Sequence, residues 1–469
     1  MRKTILFFII VGAMVCMSVF RSRPPRPGLP SLARLQGSAG VQSAPGSEAS
    51  GQRWFRVQTH LHGPFSYDSC DDKGLNPDGT VNTSCEHDLK EALCTNHVDF
   101  AFLTDHPGHL NRATRQTVLL LEPGDTPVLN SRGEPVATRI ACKDGTASIL
   151  MPGLEGTLLA LGTGWKSDAG WKLVMEKGGS AGRDAKEIFE RETGALVGAP
   201  HLENRELSYL EALGPDFVEV FNLHAAAHPV IRRENLGEPA LDPWLLRYFL
   251  DPFGWSNPDF FVLEFLKLHP LYFEKWDRLL ARFHRMTAVL GLDSHQNALK
   301  MKVEDGFRMD SHRRLLGAFS NWVKSASLDP DSMKSAIRAG RVLMVFEILG
   351  TPEGFDFFVR QNRLEFRMPH VLREPDRVQG SAAPLIRADL IHVDRTGKES
   401  RVLTGQTGDF SHPAVAPGHY RVEVFITPLH LLEEARSSRV VRREYPWILT
   451  NAIEVVDGAR IDHSLDRDR

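Results

Sequence analysis

Histidine and acidic residues follow six short apolar runs of this 469-residue chain, one set after each run. The six sets are, in chain order, His60 and His62 after 54–57, Asp105 and His106 after 98–104, Glu155 after 149–151, His201 after 195–199, Glu219 and His224 in and after 217–221, and Asp293 and His295 after 287–292. Imidazole and carboxylate groups are side chains with which proteins hold zinc, iron and manganese ions. The repetition predicts a site for divalent metal ions, and with it a metal-dependent hydrolase.

The apolar runs predict the elements that would bring these residues together. A continuous apolar run is typical of a strand in a parallel sheet, which is buried on both faces. Polar residues at the same end of successive strands indicate a (β/α) barrel, whose site gathers at the carboxyl ends of the strands. His60 and His62 are two residues apart, so in an extended chain they point the same way and both imidazoles can reach one ion. Asp293 and His295 have the same spacing.

Each of these residues also has an explanation that involves no metal. A single histidine can be a core residue with a hydrogen-bond partner, and an aspartate at a strand end can cap the next helix. The pair Asp105 and His106 is harder to explain in this way, because burying an unpaired ionisable group is costly. All of the separate explanations must hold together for the metal prediction to fail.

Between residues 54 and 340 the chain resembles the PHP family (polymerase and histidinol phosphatase domain) of metal-dependent phosphoesterases. The resemblance rests on His60-Leu61-His62, Leu103-Thr104-Asp105-His106, Gly153-Leu154-Glu155, His201 and Gly291-Leu292-Asp293-Ser294-His295. It implies a distorted (β/α)₇ barrel that holds two or three zinc, manganese or iron ions. The implied metal ligands are His60, His62, Asp68, His106, Glu155, His201, Asp293 and His295.

The chain departs from the family pattern at three places. Asp68 stands one position later than the acidic residue of the first motif, and His201 is followed by leucine where the family has proline. Members with three ions carry a further histidine soon after the glutamate, but residues 156–200 contain none. We therefore expect a site for two ions.

Two neighbouring cations would lower the pKa of a bridging water and hold both oxygens of an in-line displacement. His60, His62, Glu155 and Asp293 are predicted to surround this water, while His106, His201 and His295 complete the ligand set or hold the leaving oxygen. The residues assigned to catalysis are Asp293, His201 and Asp105, the last as a ligand or as a residue that orients His106. The residues assigned to substrate contact are Glu219, Asn222 and His224, although Glu219 could instead face a barrel layer.

Other chemistries leave weaker signals. Residues 178–182 fit the Gly-x-Ser-x-Gly elbow of serine hydrolases, but Glu176 and Lys177 stand where the elbow requires an apolar strand. The same metal site could cleave a carboxylic ester or an amide, since a cation polarises C=O as well as P=O. A protein that binds a glycan or another protein, with metal in a structural role only, is the alternative outside enzymes.

Four segments are predicted along the chain. Residues 1–22 begin with Arg2 and Lys3 and continue with the apolar run 5–20, which is typical of a signal peptide or an N-terminal membrane anchor. Residues 23–50 are rich in Gly, Ser, Ala, Pro and Gln and predict a disordered linker. Residues 51–340 form the predicted hydrolase, and 341–469 a C-terminal β-sandwich. The strand candidates in this last segment are 341–348, 355–359, 363–368, 388–393 and 419–426.

Cysteine and charge usage point to the compartment and to the partners. Cys16 lies in the predicted signal, and the other four cysteines favour the disulfides Cys70–Cys85 and Cys94–Cys142. We therefore expect an exported protein, whether periplasmic, extracellular or tethered to the outer face of the membrane. The 56 basic and 59 acidic residues argue against a dedicated nucleic-acid binder. The expected partner is a small-molecule or ester substrate, with membrane contact only through the N-terminus and glycan or protein contact through the sandwich left open.

Overall fold

The computed structural model describes residues 25–33, 51–164, 166–177, 182–240, 245–249, 256–373, 380–414, 416–456 and 461–462. The predicted signal or anchor and residues 178–181 of the Gly-x-Ser-x-Gly motif lie outside these ranges. Within them, none of the helices combines the length and the apolar character that a membrane crossing requires.

Short strands and short helices alternate through the first 340 residues, and strands dominate after that. The helices are α1 (Thr83–Thr95), α2 (Pro107–Leu110), α3 (Asp168–Lys177), α4 (Arg183–Thr193), α5 (Leu207–Leu213), α6 (Leu223–Ala227), α7 (Pro229–Glu234), α8 (Leu246–Phe249), α9 (Pro270–Phe283), α10 (His312–Leu316), α11 (Pro330–Arg338), α12 (Leu432–Ala435) and α13 (Ser438–Val441). Single turns of 3₁₀ helix cover Cys70–Asp72, Thr117–Leu119, Leu202–Asn204, Glu347–Leu349 and Leu429–Leu431, and a longer one covers Pro258–Glu264.

Several of the strands end at or just before the predicted site residues. They are β1 (Arg53–Gln58), β2 (Phe100–Leu103), β3 (Thr126–Leu129), β4 (Pro135–Ala141), β5 (Ala147–Pro152), β6 (Leu154–Glu155), β7 (Leu159–Leu161), β8 (Leu196–Gly198), β9 (Phe217–Asn222), β10 (Thr287–Gly291), β11 (Ser320–Ser325), β12 (Val342–Val345), β13 (Pro352–Glu353), β14 (Asp356–Arg360), β15 (Arg363–Arg367), β16 (His370–Val371), β17 (Leu385–Val393), β18 (Glu399–Gln406), β19 (Phe410–Pro413), β20 (Gly418–Thr427), β21 (Tyr445–Thr450), β22 (Ile453–Val455) and β23 (Ile461–Asp462).

One large mixed sheet runs through the molecule in the order β18-β17-β20-β21-β12-β11-β1-β2-β5-β4-β3. At its centre β1, β2 and β5 are parallel, so their carboxyl ends lie at one edge. All four residues of β2 are buried, as expected for a strand covered on both faces. The protein is therefore a mixed α/β structure whose parallel strands carry the first predicted ligands to a common edge.

The remaining strands of the first half surround this edge without closing a barrel. β6, β7 and β8 form a separate antiparallel sheet, and β9 and β10 form a parallel pair. Single parallel bridges join Ala199 to Val218 and Leu61 to Ser294. The predicted (β/α) barrel is thus not confirmed as a closed sheet among the described residues. β6 and β8 contain only two and three residues, too few for a continuous ladder of hydrogen bonds.

The predicted C-terminal sandwich is not confirmed either. β12 pairs with β21 in antiparallel register, Leu343 opposite Thr450, so β17, β18, β20 and β21 extend the central sheet. The physical reason is that β12 is buried along its whole length and would otherwise leave an open edge beside β11. A small sheet of β14, β15 and β19 is separate from the large one.

Residues 25–33, which the sequence assigned to the linker, pack against the domain. Leu29 and Leu32 are buried, and Arg56 donates a hydrogen bond from Nη1 to the carbonyl of Pro30 at 2.9 Å. The chain passes close to the end of α1, because a Cβ on Gly28 would lie 1.6 Å from the carbonyl oxygen of Thr95. This part of the predicted linker is therefore packed against the domain, and residues 25–33 are called the strap below.

Both predicted disulfides are present. Cys70–Cys85 ties the 3₁₀ turn after the first motif to α1, and Cys94–Cys142 ties the end of α1 to the residue after β4. The first bridge also borders the site, because the backbone N–H of Cys70 donates to the carbonyl of His295 at 2.9 Å. Disulfides persist in oxidising compartments, so their presence is consistent with an exported protein.

Candidate metal centre

The residues predicted to bind metal meet at the edge formed by the ends of β1, β2, β6, β8 and β10. All but Asp68 fall into two groups, and within each group the potential ligand atoms lie within 4.8 Å of one another. The first group is His60, Glu155, His201 and Asp293, and the second group is His62, His106 and His295.

In the first group, two carboxylates face two imidazoles. Glu155 lies 3.1 Å from Nε2 of His201 through Oε1 and 3.3 Å from Nε2 of His60 through Oε2. Asp293 lies 3.3 Å from Nε2 of His201 through Oδ2 and 3.4 Å from Nε2 of His60 through Oδ1. Each carboxylate therefore directs both oxygens at the same small volume.

The same two carboxylates also face the second group. Nε2 of His62 lies 3.3 Å from Oε2 of Glu155 and 3.1 Å from Oδ1 of Asp293. The rings of His62 and His295 stack with centroids 3.9 Å apart, and the ring of His106 is 4.6 Å from that of His62. Glu155 and Asp293 thus stand between the two groups, where carboxylates that bridge two cations would stand.

Asp68 lies beside the second group despite its shifted position in the sequence. Its Oδ2 is 3.6 Å from Nε2 of His106, and its Oδ1 is 3.6 Å from Nε2 of His295. The carbonyl oxygen of Asp68 accepts a hydrogen bond from the side chain of Asn297, which fixes the loop. The side chain is about one-third exposed, so this side of the cluster faces solvent.

The donor set fits divalent cations. Five imidazoles and three carboxylates are the ligand types that zinc, iron and manganese share. Oδ1 of Asp293 and Oδ1 of Asp68 are buried, and the nearest side-chain groups are imidazole nitrogens, Nε2 of His62 at 3.1 Å and Nε2 of His295 at 3.6 Å. If these nitrogens carry no proton, both oxygens lack a donor, which is unfavourable for a buried carboxylate, and a cation would satisfy both atoms.

The cluster also perturbs its own protonation equilibria. Burial lowers the pKa of His60, but the carboxylates of Asp293, Glu219 and Glu155 outweigh this effect and raise it well above the usual value. For His62, burial is again opposed by Asp293 and Glu155, and its pKa rises to about 9. Without a cation, protons on the imidazoles balance the charge of the carboxylates.

Two of the ligands adopt a backbone conformation that is unusual for residues with a side chain. His201 has φ of 56° and Asp293 has φ of 54°. The left-handed region costs non-glycine residues free energy and is found mostly where the surrounding structure enforces it. Backbone hydrogen bonds enforce it here: the N–H of Asp293 donates to the carbonyl of His60 at 2.9 Å, and that of His201 to Oε2 of Glu219 at 3.3 Å.

Asp105 does not have the role that the sequence suggested. Its carboxylate is buried and accepts the backbone N–H groups of Gly63 at 2.6 Å and Phe65 at 3.3 Å. His106 is oriented differently, with Nδ1 3.0 Å from the carbonyl oxygen of Glu155. The prediction that Asp105 is catalytic or orients His106 is therefore corrected: it holds the loop that follows His62.

Two predicted substrate contacts are corrected as well. Glu219 is fully buried behind His60, with Oε1 2.7 Å from Nδ1 of that ring. Asn222 is also buried and donates to Oε2 of Glu219 at 3.2 Å and to Oδ2 of Asp293 at 3.3 Å. Both side chains therefore lie behind the clustered groups and not at the rim. His224 is partly exposed, and its ring lies 5.3 Å from that of His295, so it remains at the rim.

Three residues of the site were missed by sequence reasoning. Glu203 lies 3.0 Å from Nδ1 of His201, Tyr272 donates to Glu203 at 2.9 Å, and Ser66 lies 2.7 Å from Nδ1 of His62. Glu203 follows His201 at the same two-residue spacing that marks His60 and His62, which could have identified it. Nothing in the sequence around Ser66 or Tyr272 distinguishes them from ordinary polar residues.

Comparisons with known proteins give one structural neighbour. No family model and no curated protein matches the chain. The neighbour is the crystal structure of a two-domain protein containing a predicted PHP-like metal-dependent phosphoesterase from Bacteroides vulgatus ATCC 8482. It is 12% identical, the match covers 86% of this chain and 94% of that chain, and the TM-score is 0.32. At this TM-score the match carries no weight for the chemistry, which depends on the geometry of the site.

Proposed function

We propose that this protein is a metal-dependent hydrolase of esters, with phosphate esters as its first substrate class. The observation that carries the proposal is that Glu155 and Asp293 stand between two groups of imidazoles, each within 3.5 Å of both groups. Two divalent cations bound in this arrangement would acidify a water molecule and polarise the ester oxygen. This arrangement suits hydrolysis without a nucleophilic side chain.

The chain itself contributes binding and orientation. His60 and His201 present Nε2 to the first position, while His62, His106 and His295 present Nε2 to the second, with Asp68 at its open side. Because Asp68 is partly exposed, water or a substrate oxygen can reach the second position from solvent. An open coordination position is what separates catalytic metal sites from structural ones.

His224 is the residue we assign to substrate contact. Its ring is at the rim of the cluster, 5.3 Å from the ring of His295 and 5.3 Å from that of His228. Burial lowers its pKa, so it is neutral near pH 7 and can donate a hydrogen bond to an ester oxygen. Its position next to the open side supports contact with the leaving group.

The proposal extends to the identity of the ions, the fold around the site and the location of the protein. The bound ions are zinc, manganese or iron, given the imidazole-rich donor set. The strands around the site are a strongly distorted form of the (β/α)₇ barrel, which the convergence of their carboxyl ends supports. The protein is exported, which two disulfides support.

The test is metal content together with ester hydrolysis. Purified protein is stripped with a chelator, reloaded with zinc, manganese or iron, and assayed with nitrophenyl phosphate, bis-nitrophenyl phosphate and nitrophenyl acetate. We expect about two ions per chain and turnover of a phosphate ester. Glu155→Gln should abolish both, whereas Glu91→Gln, an exposed carboxylate paired with Lys143, should change neither.

Two outcomes would contradict the proposal. If the protein retains no metal after reloading, the clustered residues do not form a metal site and the proposed metal-dependent hydrolysis is wrong. A protein that holds metal tightly but cleaves none of the three esters is better described as a metal-containing binding protein. Cleavage of the acetate alone would move the substrate class to carboxylic esters while retaining the metal-dependent hydrolase.

A further inference from the structure

We infer that the two ligand groups bind their cations unequally, the first group tightly and the second group weakly and exchangeably. The inference rests on the metal site of the proposed function and adds an order of filling. It follows from the partner of Nδ1 in each of the five imidazoles, since these partners differ systematically between the groups.

In the first group, both Nδ1 atoms face a carboxylate. Nδ1 of His60 is 2.7 Å from Oε1 of Glu219, and Nδ1 of His201 is 3.0 Å from Oε1 of Glu203. A carboxylate only accepts, so each Nδ1 carries the proton and leaves Nε2 for a cation. A carboxylate in this position also makes the imidazole a more basic ligand.

Both carboxylates are held in place. Oε2 of Glu219 accepts from the backbone N–H of His201 and from the side chain of Asn222. The space for Glu219 depends on Gly291, where a Cβ would lie 2.0 Å from Oε1. The buried Glu203 accepts from the hydroxyl of Tyr272 at 2.9 Å.

In the second group, the nearest partner of every Nδ1 is a neutral oxygen. His62 meets the hydroxyl of Ser66 at 2.7 Å. His106 meets the carbonyl oxygen of Glu155 at 3.0 Å, and His295 meets that of Asp293 at 3.1 Å. Carboxylate oxygens lie farther away, with Glu155 3.4 Å from Nδ1 of His106 and Asp293 3.5 Å from Nδ1 of His295. Both belong to the carboxylates that the two groups share, so the Nδ1 contacts of the second group add no further negative charge.

The charge around the two positions differs accordingly. Four buried carboxylates surround the first position. Glu155 and Asp293 face it directly, whereas Glu219 and Glu203 contact Nδ1 of His60 and His201 on the far side of each ring. The second position shares Glu155 and Asp293 and has the partly exposed Asp68 of its own, where water competes and screens. The buried Asp105 also acts on His62, but through Ser66, and its oxygens accept from the backbone N–H groups of Gly63 and Phe65. The first cation to bind should therefore occupy the first group, and its charge should weaken binding of the second.

The test is a titration of the metal-free full chain with manganese or zinc, measured by calorimetry and by competition with a chelator. We expect two classes of ion that differ in affinity by about 10-fold or more. Glu219→Gln keeps the size of the side chain but removes its charge, and should weaken the tighter class by about 10- to 100-fold. Ser66→Ala should weaken only the weaker class, and Glu91→Gln should change neither.

A second readout separates positioning from stability. With one equivalent of cobalt, the visible spectrum reports the ligands of the tighter position, and Glu219→Gln should change it while circular dichroism of the metal-free variant still shows the wild-type fold. If Glu219→Gln fails to fold, Glu203→Gln provides the same test through His201. Its carbonyl oxygen can still accept from Tyr272.

Specific results would overturn the inference. Equal affinity for both ions in the wild type would do so, as would an equal loss at both positions in Glu219→Gln or an effect of Ser66→Ala on the tighter class. These results leave ester hydrolysis intact and so differ from failure of the proposed function, in which the wild type binds no metal or cleaves no ester.

Discussion

The protonation of His62 predicts that metal affinity rises with pH while the stability of the metal-free protein falls. Burial disfavours the charged ring, but Asp293 and Glu155 overcome that effect and raise the pKa of His62 to about 9. The pKa values of His60 and His201 are raised for the same kind of reason, with burial opposed by Asp293 and by Glu155, respectively. Near pH 7 a cation must therefore displace protons before it can bind.

The magnitude follows from the pKa of His62. At pH 7, two units below that value, competition from its proton lowers the apparent association constant by about 100-fold, and the constant should rise about tenfold per pH unit for each proton displaced. The same shift, from the ordinary 6.5 to about 9, stabilises the folded metal-free protein by about 3 kcal/mol. That contribution is fully present below pH 6.5 and is lost as the pH rises through about 9.

Calorimetric titration in buffers with different ionisation enthalpies measures both effects. Proton release per ion should be clear at pH 7 and small at pH 10, and His62→Asn should reduce it by about one proton. The free energy of unfolding of the metal-free protein, measured by denaturant titration, should be lower at pH 9.5 than at pH 6. An affinity that is flat between pH 6 and 9, with no proton release, would refute the reasoning about the cluster.

Two further predictions concern the fold around the site. Gly28→Ala should push the strap away from the end of α1 and lower the free energy of unfolding by about 2–4 kcal/mol through the exposure of buried leucines, whereas Gly408→Ala, whose Cβ meets no atom within 4 Å, should be nearly neutral in denaturant titrations. The double change Cys94→Ala and Cys142→Ala removes a bridge that closes a 48-residue separation and should cost about 4 kcal/mol by loop entropy. An unchanged denaturation midpoint for Gly28→Ala, or for the double variant compared with the oxidised wild type, would contradict the corresponding prediction.

The convergence of most of the clustered side chains could be predicted from the sequence because they lie at or just after the ends of buried strands. His60, His62, Glu155 and Asp293 needed only the rule that parallel strands share a carboxyl edge. The sequence could not show whether a side chain at that edge points toward the rim of the cluster or toward the back of an imidazole. Glu219 lies within its strand, and the strand's rotation turns its carboxylate toward the back of His60 instead of toward the rim.

Several strands of the C-terminal third were also predicted from the sequence, but their pairing with the central sheet was not. The candidates 355–359, 363–368 and 388–393 correspond to β14, β15 and β17. The pairing of β12 with β21, about one hundred residues later, depends on which strand edge is left open after the first half has folded. No local pattern reports such a long-range choice, so alternating short strands suggested a separate sandwich.

Hydrogen bonds within the chain hold the two strained residues of the first group. His201 and Asp293 hold left-handed conformations that cost roughly 1–3 kcal/mol each. Asp293 is fixed by its backbone bond to His60, and His201 by Glu219, the same carboxylate that orients His60. Glu219 therefore links the two imidazoles of the first group through one buried charge. Since the cost of arranging that group is met by the folded chain, more of the cation's binding energy remains available as affinity, which is a second physical reason for the first group to fill before the second.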